Sequence, residues 1–189
     1  RGLFQGANFV NSIEESNQEE LKPLIESGKK SFKGRELTGG TLGVVGMGAI
    51  GSKVADMGVM LGMNVIGYDP AITVEAAWKL PNKVERKESI EDVFKESDYI
   101  SLHIPANDKT KGLINSDLLK NAKNGLRLIN FARDEIVVSK DIIESLDKNI
   151  LSKYITDFAD LELISRAKTA KDVIILPHIG ASTSQAEEN

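Results

Sequence analysis

Three glycines set between two short apolar runs constrain this chain more than any other feature. Leu42, Val44 and Val45 lead into Gly46-Met47-Gly48-Ala49-Ile50-Gly51, a helical pattern follows, and a second apolar run, NVIGYDP (64 to 70), carries Asp69 near its end. That order reads as strand, tight turn, helix and strand. Gly46 permits the turn, Gly48 leaves main chain bare for close approach, and Gly51 lets the helix sit tightly on the strand. The N–H groups at the helix start are unpaired and lie at the positive end of the helix dipole, where phosphates bind. Asp69, 18 residues beyond Gly51, stands where a carboxylate accepts hydrogen bonds from ribose hydroxyls; its other reading is an acid opening a turn before Pro70. The unit predicts a dinucleotide site, and the acid favours NAD over NADP.

The remainder alternates in the same way. Candidate strands lie at 83–86, 99–105, 126–132, 153–158 and 172–177, with helical stretches at 52–61, 90–95, 116–122 and 140–146. This alternation predicts an α/β fold, a Rossmann-type doubly wound and mostly parallel sheet with ligands at the carboxyl ends of its strands. Ser89 with Glu91 and Asp92 resembles a capping box, Asn115 or Ser116 caps the next helix, Ser139 the one after, and Ser182 or Thr183 a last one. Residues 1–38 read as a polar helical and linker segment, with one helix across Asn11 to Lys30, and 39–181 as the NAD-binding domain. Residues 182–189 read as the start of a helix returning to a substrate-binding domain outside this chain.

Composition narrows the partners. A net charge of −4 with no basic block argues against nucleic acid, because nothing displaces counterions from phosphates. With no cysteine, disulfides, thiol nucleophiles and cysteine metal sites are excluded together, and neither histidine has a neighbour at metal-ligand spacing, so no metal is expected. No apolar run reaches the roughly 18 residues of a membrane span and no signal peptide is evident, so a cytoplasmic protein without membrane contact is expected.

The segments GVVGMGAIG, YDP, SLHIPANDKTKGLIN, LINFARDEIV, TDF and LPHIGAST together resemble the D-2-hydroxyacid dehydrogenase family, in one order and most clearly from Leu37 onward. The resemblance implies NAD as cofactor, a small D-2-hydroxy acid as substrate, with 3-phospho-D-glycerate foremost and glyoxylate, hydroxypyruvate or D-lactate types as alternatives, and a homodimer or higher homo-oligomer. The apolar stretch Met57 to Met63 and Ala76-Ala77-Trp78 serve either such contacts or the core. A non-catalytic NAD-sensing module on the same fold is the second class of reading.

The resemblance also assigns residues. His178 becomes the general acid/base, a task that suits imidazole because its unperturbed pKa lies near 6.5. Arg133 becomes the carboxylate and carbonyl grip; a planar guanidinium can make two parallel hydrogen bonds to a carboxylate. The family usually carries glycine after this arginine, whereas Asp134 follows here. Glu162 falls at the offset of the glutamate that holds the histidine, but lacks the proline that follows it in the family; it is either that residue or a solvated helix residue, with Asp160 the weaker substitute. Asp157 matches the aspartate that bonds the nicotinamide carboxamide. Cofactor contact is implied for Gly46, Gly48, Ala49, Ile50, Gly51, Asp69, Thr110, Phe131, Ala132, Arg133, Asp157, His178 and Gly180. It is implied also for His103, Ile104 and Pro105 at the adenine end, where His103 has a purely structural reading as well.

Overall fold

A computed structural model of the chain describes residues 6, 9–13, 18–32, 34–78 and 80–187. It comprises two units, Arg1–Glu36 and Leu37–Asn189. In the first, helix α1 (Gln18–Lys29) has Glu19 and Glu20 in its first turn and Lys29 in its last, matching the helix dipole, and a 3-10 turn (Lys30–Phe32) follows. The rings of Phe9 and Phe32 meet at 5.5 Å. The expected single helix from Asn11 to Lys30 is interrupted, because the chain has left helical geometry at Ile13.

The second unit is built on seven parallel strands, β1 (Thr41–Val45), β2 (Asn64–Tyr68), β3 (Val84–Arg86), β4 (Tyr99–Leu102), β5 (Leu126–Asn130), β6 (Leu151–Thr156) and β7 (Val173–Ile175). Their order is β3-β2-β1-β4-β5-β6-β7. The chain winds outward from β1 to β3, returns to β4 beside β1, and winds outward again. The order therefore reverses between β1 and β4. That is the crevice where ligands bind in open α/β sheets.

Helices α2 (Ala49–Met60), α3 (Val74–Trp78), α4 (Ile90–Glu96), α5 (Ser116–Leu119), α6 (Ser139–Asp147) and α7 (Leu161–Thr169) connect the strands, and α8 (Ser184–Glu187) follows β7. Leu42, Val44, Met47, Ala55 and Val65 form one buried cluster that includes α2 and its two flanking strands. A larger cluster, including Phe94, Ile100, Leu102, Leu128, Ile142 and Tyr154, gathers α4 and α6 with the central strands. The side chains of Met57, Met60, Leu61 and Trp78 are exposed, which removes the core reading for those four.

Three caps stand as expected. Ser89 accepts the N–H of Asp92 at 3.1 Å, Asn115 accepts those of Asp117 and Leu118, and Thr183 accepts that of Ala186. The Ser139 cap is corrected: the N-cap is Val138, and the Ser139 hydroxyl donates instead to Asp160. Helix α2 starts three residues earlier than expected, α5 is shorter, and α3, α7 and a 3-10 turn (Asp134–Ile136) are additions.

Arg166 ties α7 to its neighbours, donating to Asp172 at 2.7 Å and to Asp147 at 2.6 Å. The guanidinium holds the Asp172 carboxyl below its ordinary value of 3.8. A depressed folded-state value means the stabilisation is present above the unfolded value and is lost as pH falls through the folded one. Arg166→Met should therefore lower stability by about 1.5–3 kcal/mol at pH 7, and the gap to wild type should close as the pH descends through the carboxylate range, read by urea denaturation.

Candidate active site

Because every strand is parallel, the segments after β1, β2, β4, β5, β6 and β7 all emerge at one edge of the sheet. Every residue singled out for the site lies there or on the loops and helix starts that continue from it.

The cradle follows β1. Gly46 adopts a φ of 91°, and a Cβ on it would lie 2.5 Å from the carbonyl oxygen of His103. A Cβ on Gly51 would stand 1.9 Å from the Gly46 carbonyl oxygen, so the first turn of α2 closes only around glycine. Gly48 caps α2 without a side-chain hydrogen bond, and a Cβ there would meet no protein atom within 4 Å. Ala49 and Ile50 are exposed beside it. This is bare main chain with open space in front of it, the form a diphosphate requires.

Asp69 after β2 is latched to the cradle: Oδ2 accepts the N–H of Met47 at 2.8 Å and Oδ1 accepts that of Ala71 at 2.9 Å. A carboxylate has about four lone-pair sites, so capacity for ribose hydroxyls remains. Beside it opens an apolar pocket whose lining includes Met47, Ile72, Leu80, Val84 and Arg86. Its walls suit adenine. His103 and Ile104, expected at the adenine end, pack against Gly46 behind the cradle. The His103 Nε2 lies 2.8 Å from the Ser101 hydroxyl, and burial holds its pKa below 6.5. Thr110 donates to the Pro105 carbonyl at 2.6 Å and accepts from Asn107 N–H at 2.8 Å, which folds the loop after β4 onto itself.

At the other half of the edge, Phe131 and Arg133 are exposed and Ala132 is buried between them. Arg133 rests Nη1 on the Ala132 carbonyl at 2.5 Å, the one hydrogen bond of its side chain within the described residues, which leaves most of its five-donor fork available. Asp134 begins the 3-10 turn with a negative φ and accepts the Glu135 N–H at 3.0 Å, so this turn does not require the family's glycine.

His178, exposed and with a φ of 54°, places Nδ1 3.3 Å from Asp157 Oδ2, and the Phe158 ring meets its imidazole edge-on at 5.4 Å. Glu162 is elsewhere, exposed in the first turn of α7. Asp160 caps that helix, accepting the Leu163 N–H at 2.8 Å. Neither Glu162 nor Asp160 pairs with the imidazole: Asp157, expected only at the carboxamide, is the acid the fold brings to His178. Its second oxygen, Oδ1, is buried without a hydrogen-bond partner. A buried acceptor left open at a ligand edge fits a donor supplied by a ligand, as a carboxamide N–H would be. Gly180 lies exposed in the loop beyond. Sequence reasoning missed the Phe158 contact and the pocket residues Ile72, Leu80 and Arg86.

Sheet order, glycine cradle and latched acid define a Rossmann-type dinucleotide-binding domain. The model of the D-isomer specific 2-hydroxyacid dehydrogenase NAD binding domain matches residues 6–180, and the chain belongs to that family, whose members are NAD-dependent oxidoreductases acting on CH–OH groups. D-3-phosphoglycerate dehydrogenase of Bacillus subtilis is 36% identical over 166 residues, 87% of this chain and 31% of the relative. Hydroxypyruvate reductase of Thermotoga maritima is 35% identical over 164 residues, 84% of this chain and 52% of the relative. The crystal structure of D-lactate dehydrogenase from Aquifex aeolicus complexed with NAD and lactic acid superposes with a TM-score of 0.72 at 30% identity, covering 89% of this chain and 57% of that one. The chain thus spans between about a third and just over half the length of these relatives. No helix among the described residues is long and apolar enough to cross a membrane.

Proposed function

We propose that the protein containing this domain oxidises a D-2-hydroxy acid, with 3-phospho-D-glycerate, converted to 3-phosphohydroxypyruvate at the entry to serine biosynthesis, as the substrate. The observation that carries the enzymatic reading is the His178–Asp157 pair at 3.3 Å, on the same sheet edge as Arg133 and the cradle. A module that only sensed NAD would have no use for an imidazole oriented by a carboxylate on one sheet edge with a guanidinium.

Each group has a task. With Nδ1 turned to Asp157, the Nε2 of His178 is left to take the hydroxyl proton or return it. Arg133, released from the Ala132 carbonyl, grips the carboxylate and polarises the neighbouring oxygen. Asp157 serves both sides, orienting the imidazole through Oδ2 and offering the open Oδ1 to the carboxamide. The glycine cradle and Asp69 hold the coenzyme by its diphosphate and ribose. NAD, when bound, supplies the hydride acceptor.

The similarity to the Bacillus relative supports the phosphorylated substrate, while the hydroxypyruvate reductase is 35% identical. Steady-state assays of the protein complete with its substrate-binding domain decide. A kcat/KM for 3-phospho-D-glycerate well above those for D-glycerate and D-lactate is expected; equal values would refute the narrower reading, and no turnover of any of them would refute the enzyme.

A further inference from the structure

The turn that carries Arg133 is held by a buried side chain with no part in the roles assigned so far. Asn130 is the last residue of β5 and is wholly buried, its Cα partnered with that of Leu102 on one side and that of Thr156 on the other. There the ladders of β5 stop. The Asn130 amide takes over: Oδ1 accepts the N–H of Ala132 at 3.1 Å, and Nδ2 donates to the carbonyl of Arg133 at 2.8 Å. Because the first partner can only donate and the second only accept, the two bonds fix which way the amide faces. A longer bond from Nδ2 to the Tyr154 hydroxyl, at 3.4 Å, anchors it in the core. Further on, the Gly112 N–H meets the Glu135 carbonyl at 2.8 Å and the Ile114 N–H that of Ile136 at 2.9 Å, so the chain is pinned again across the 3-10 turn. Arg133 sits between these two fixtures, extended at φ −152° and ψ 146°.

From this geometry we infer that Asn130 is a positioning residue for the substrate's carboxylate, its amide setting the main chain around Arg133 and so the direction in which the guanidinium leaves the sheet edge. The Arg133 side chain does not set that direction itself. It is exposed, and its bond to the Ala132 carbonyl stays within the same turn. A planar grip on a carboxylate needs two parallel hydrogen bonds, and a tilt of the turn misdirects both. Asparagine suits the place because a carboxamide offers an acceptor and a donor side by side. An apolar residue of like volume would fill the space and leave both main-chain groups without their partner.

The inference rests on Arg133 gripping the substrate, and a double-mutant cycle in the full-length protein separates the two. The assay uses whichever of 3-phospho-D-glycerate, D-glycerate and D-lactate is turned over fastest. Arg133→Ala alone should cut kcat/KM about ten- to hundredfold, the scale of a hydrogen bond to a charged group; an unchanged value would remove the grip and the inference with it. Asn130→Asp keeps the size of the side chain and the acceptor for Ala132 and loses the donor to Arg133. Its kcat/KM should fall about five- to tenfold, the scale of one lost hydrogen bond, mostly through KM, while the Kd for NAD stays within about twofold. In the Arg133→Ala background the same substitution should change kcat/KM by less than about twofold, since no guanidinium remains to be aimed. An equal loss in both backgrounds, no loss in either, or a matching loss of NAD affinity would overturn the positioning role and leave Asn130 a structural residue. Asn130→Ser, uncharged and too short to reach both groups, should show the same dependence on Arg133, and it decides the matter if Asn130→Asp does not fold.

Discussion

Gly48→Ala should melt close to the wild-type temperature and yet bind NAD about ten- to hundredfold more weakly, the equivalent of the 1–3 kcal/mol that an intruding methyl costs in a packed contact. Gly51→Ala should lose both stability and binding. The contrast comes from where each methyl would go. At Gly48 it points into space that holds no protein atom within 4 Å, and the backbone there, φ −70° and ψ −159°, is open to any residue. It would occupy the approach of the diphosphate and nothing else. At Gly51 it would stand 1.9 Å from a main-chain oxygen, which cannot rotate aside as a side chain can. The turn itself must then shift. Thermal melts and calorimetric titration of the two variants check this; equal behaviour in both assays would mean that the open space before Gly48 is not the diphosphate site.

His178→Ala should lower kcat by about 10²–10⁴-fold in the full-length protein, the usual contribution of a general acid/base, and leave the Kd for NAD within about threefold. The side chain is 63% exposed, so its loss opens no cavity, and its ring meets Asp157 and Phe158 rather than the cradle. Asp157→Asn should be milder on turnover, since the amide keeps the shape while losing the charge that orients Nδ1. It should weaken NAD as well, because the open Oδ1 is the carboxamide acceptor in this reading. Single-turnover and binding measurements on the pair separate proton transfer from coenzyme grip. Unchanged turnover in His178→Ala would end the catalytic assignment.

How far the sequence carried depends on how local each feature is. The cradle was legible because all its parts lie in one βαβ unit and each glycine answers a steric demand of its own neighbours. The apolar runs at 99–105, 126–132 and 172–177 overshoot β4, β5 and β7, because apolar residues continue past the last paired position to line the ligand edge. The partner of His178 was a matter of register instead. Thr156 and Ile175 are partners across β6 and β7, which brings the residue after one strand beside the loop after the other. An offset counted along the chain pointed to Glu162, but Asp160 starts a helix at that place and leaves Glu162 in its exposed first turn.

The capless opening of α2 has an effect on the molecule's lifetime as well as its chemistry. The polypeptide supplies no side chain to finish that helix, so an incoming coenzyme completes secondary structure and becomes part of what keeps the chain folded. At a hundredfold excess over its Kd such a ligand adds about 2.7 kcal/mol against unfolding. Saturating coenzyme should thereby raise the melting temperature of the domain and slow its digestion by an added protease.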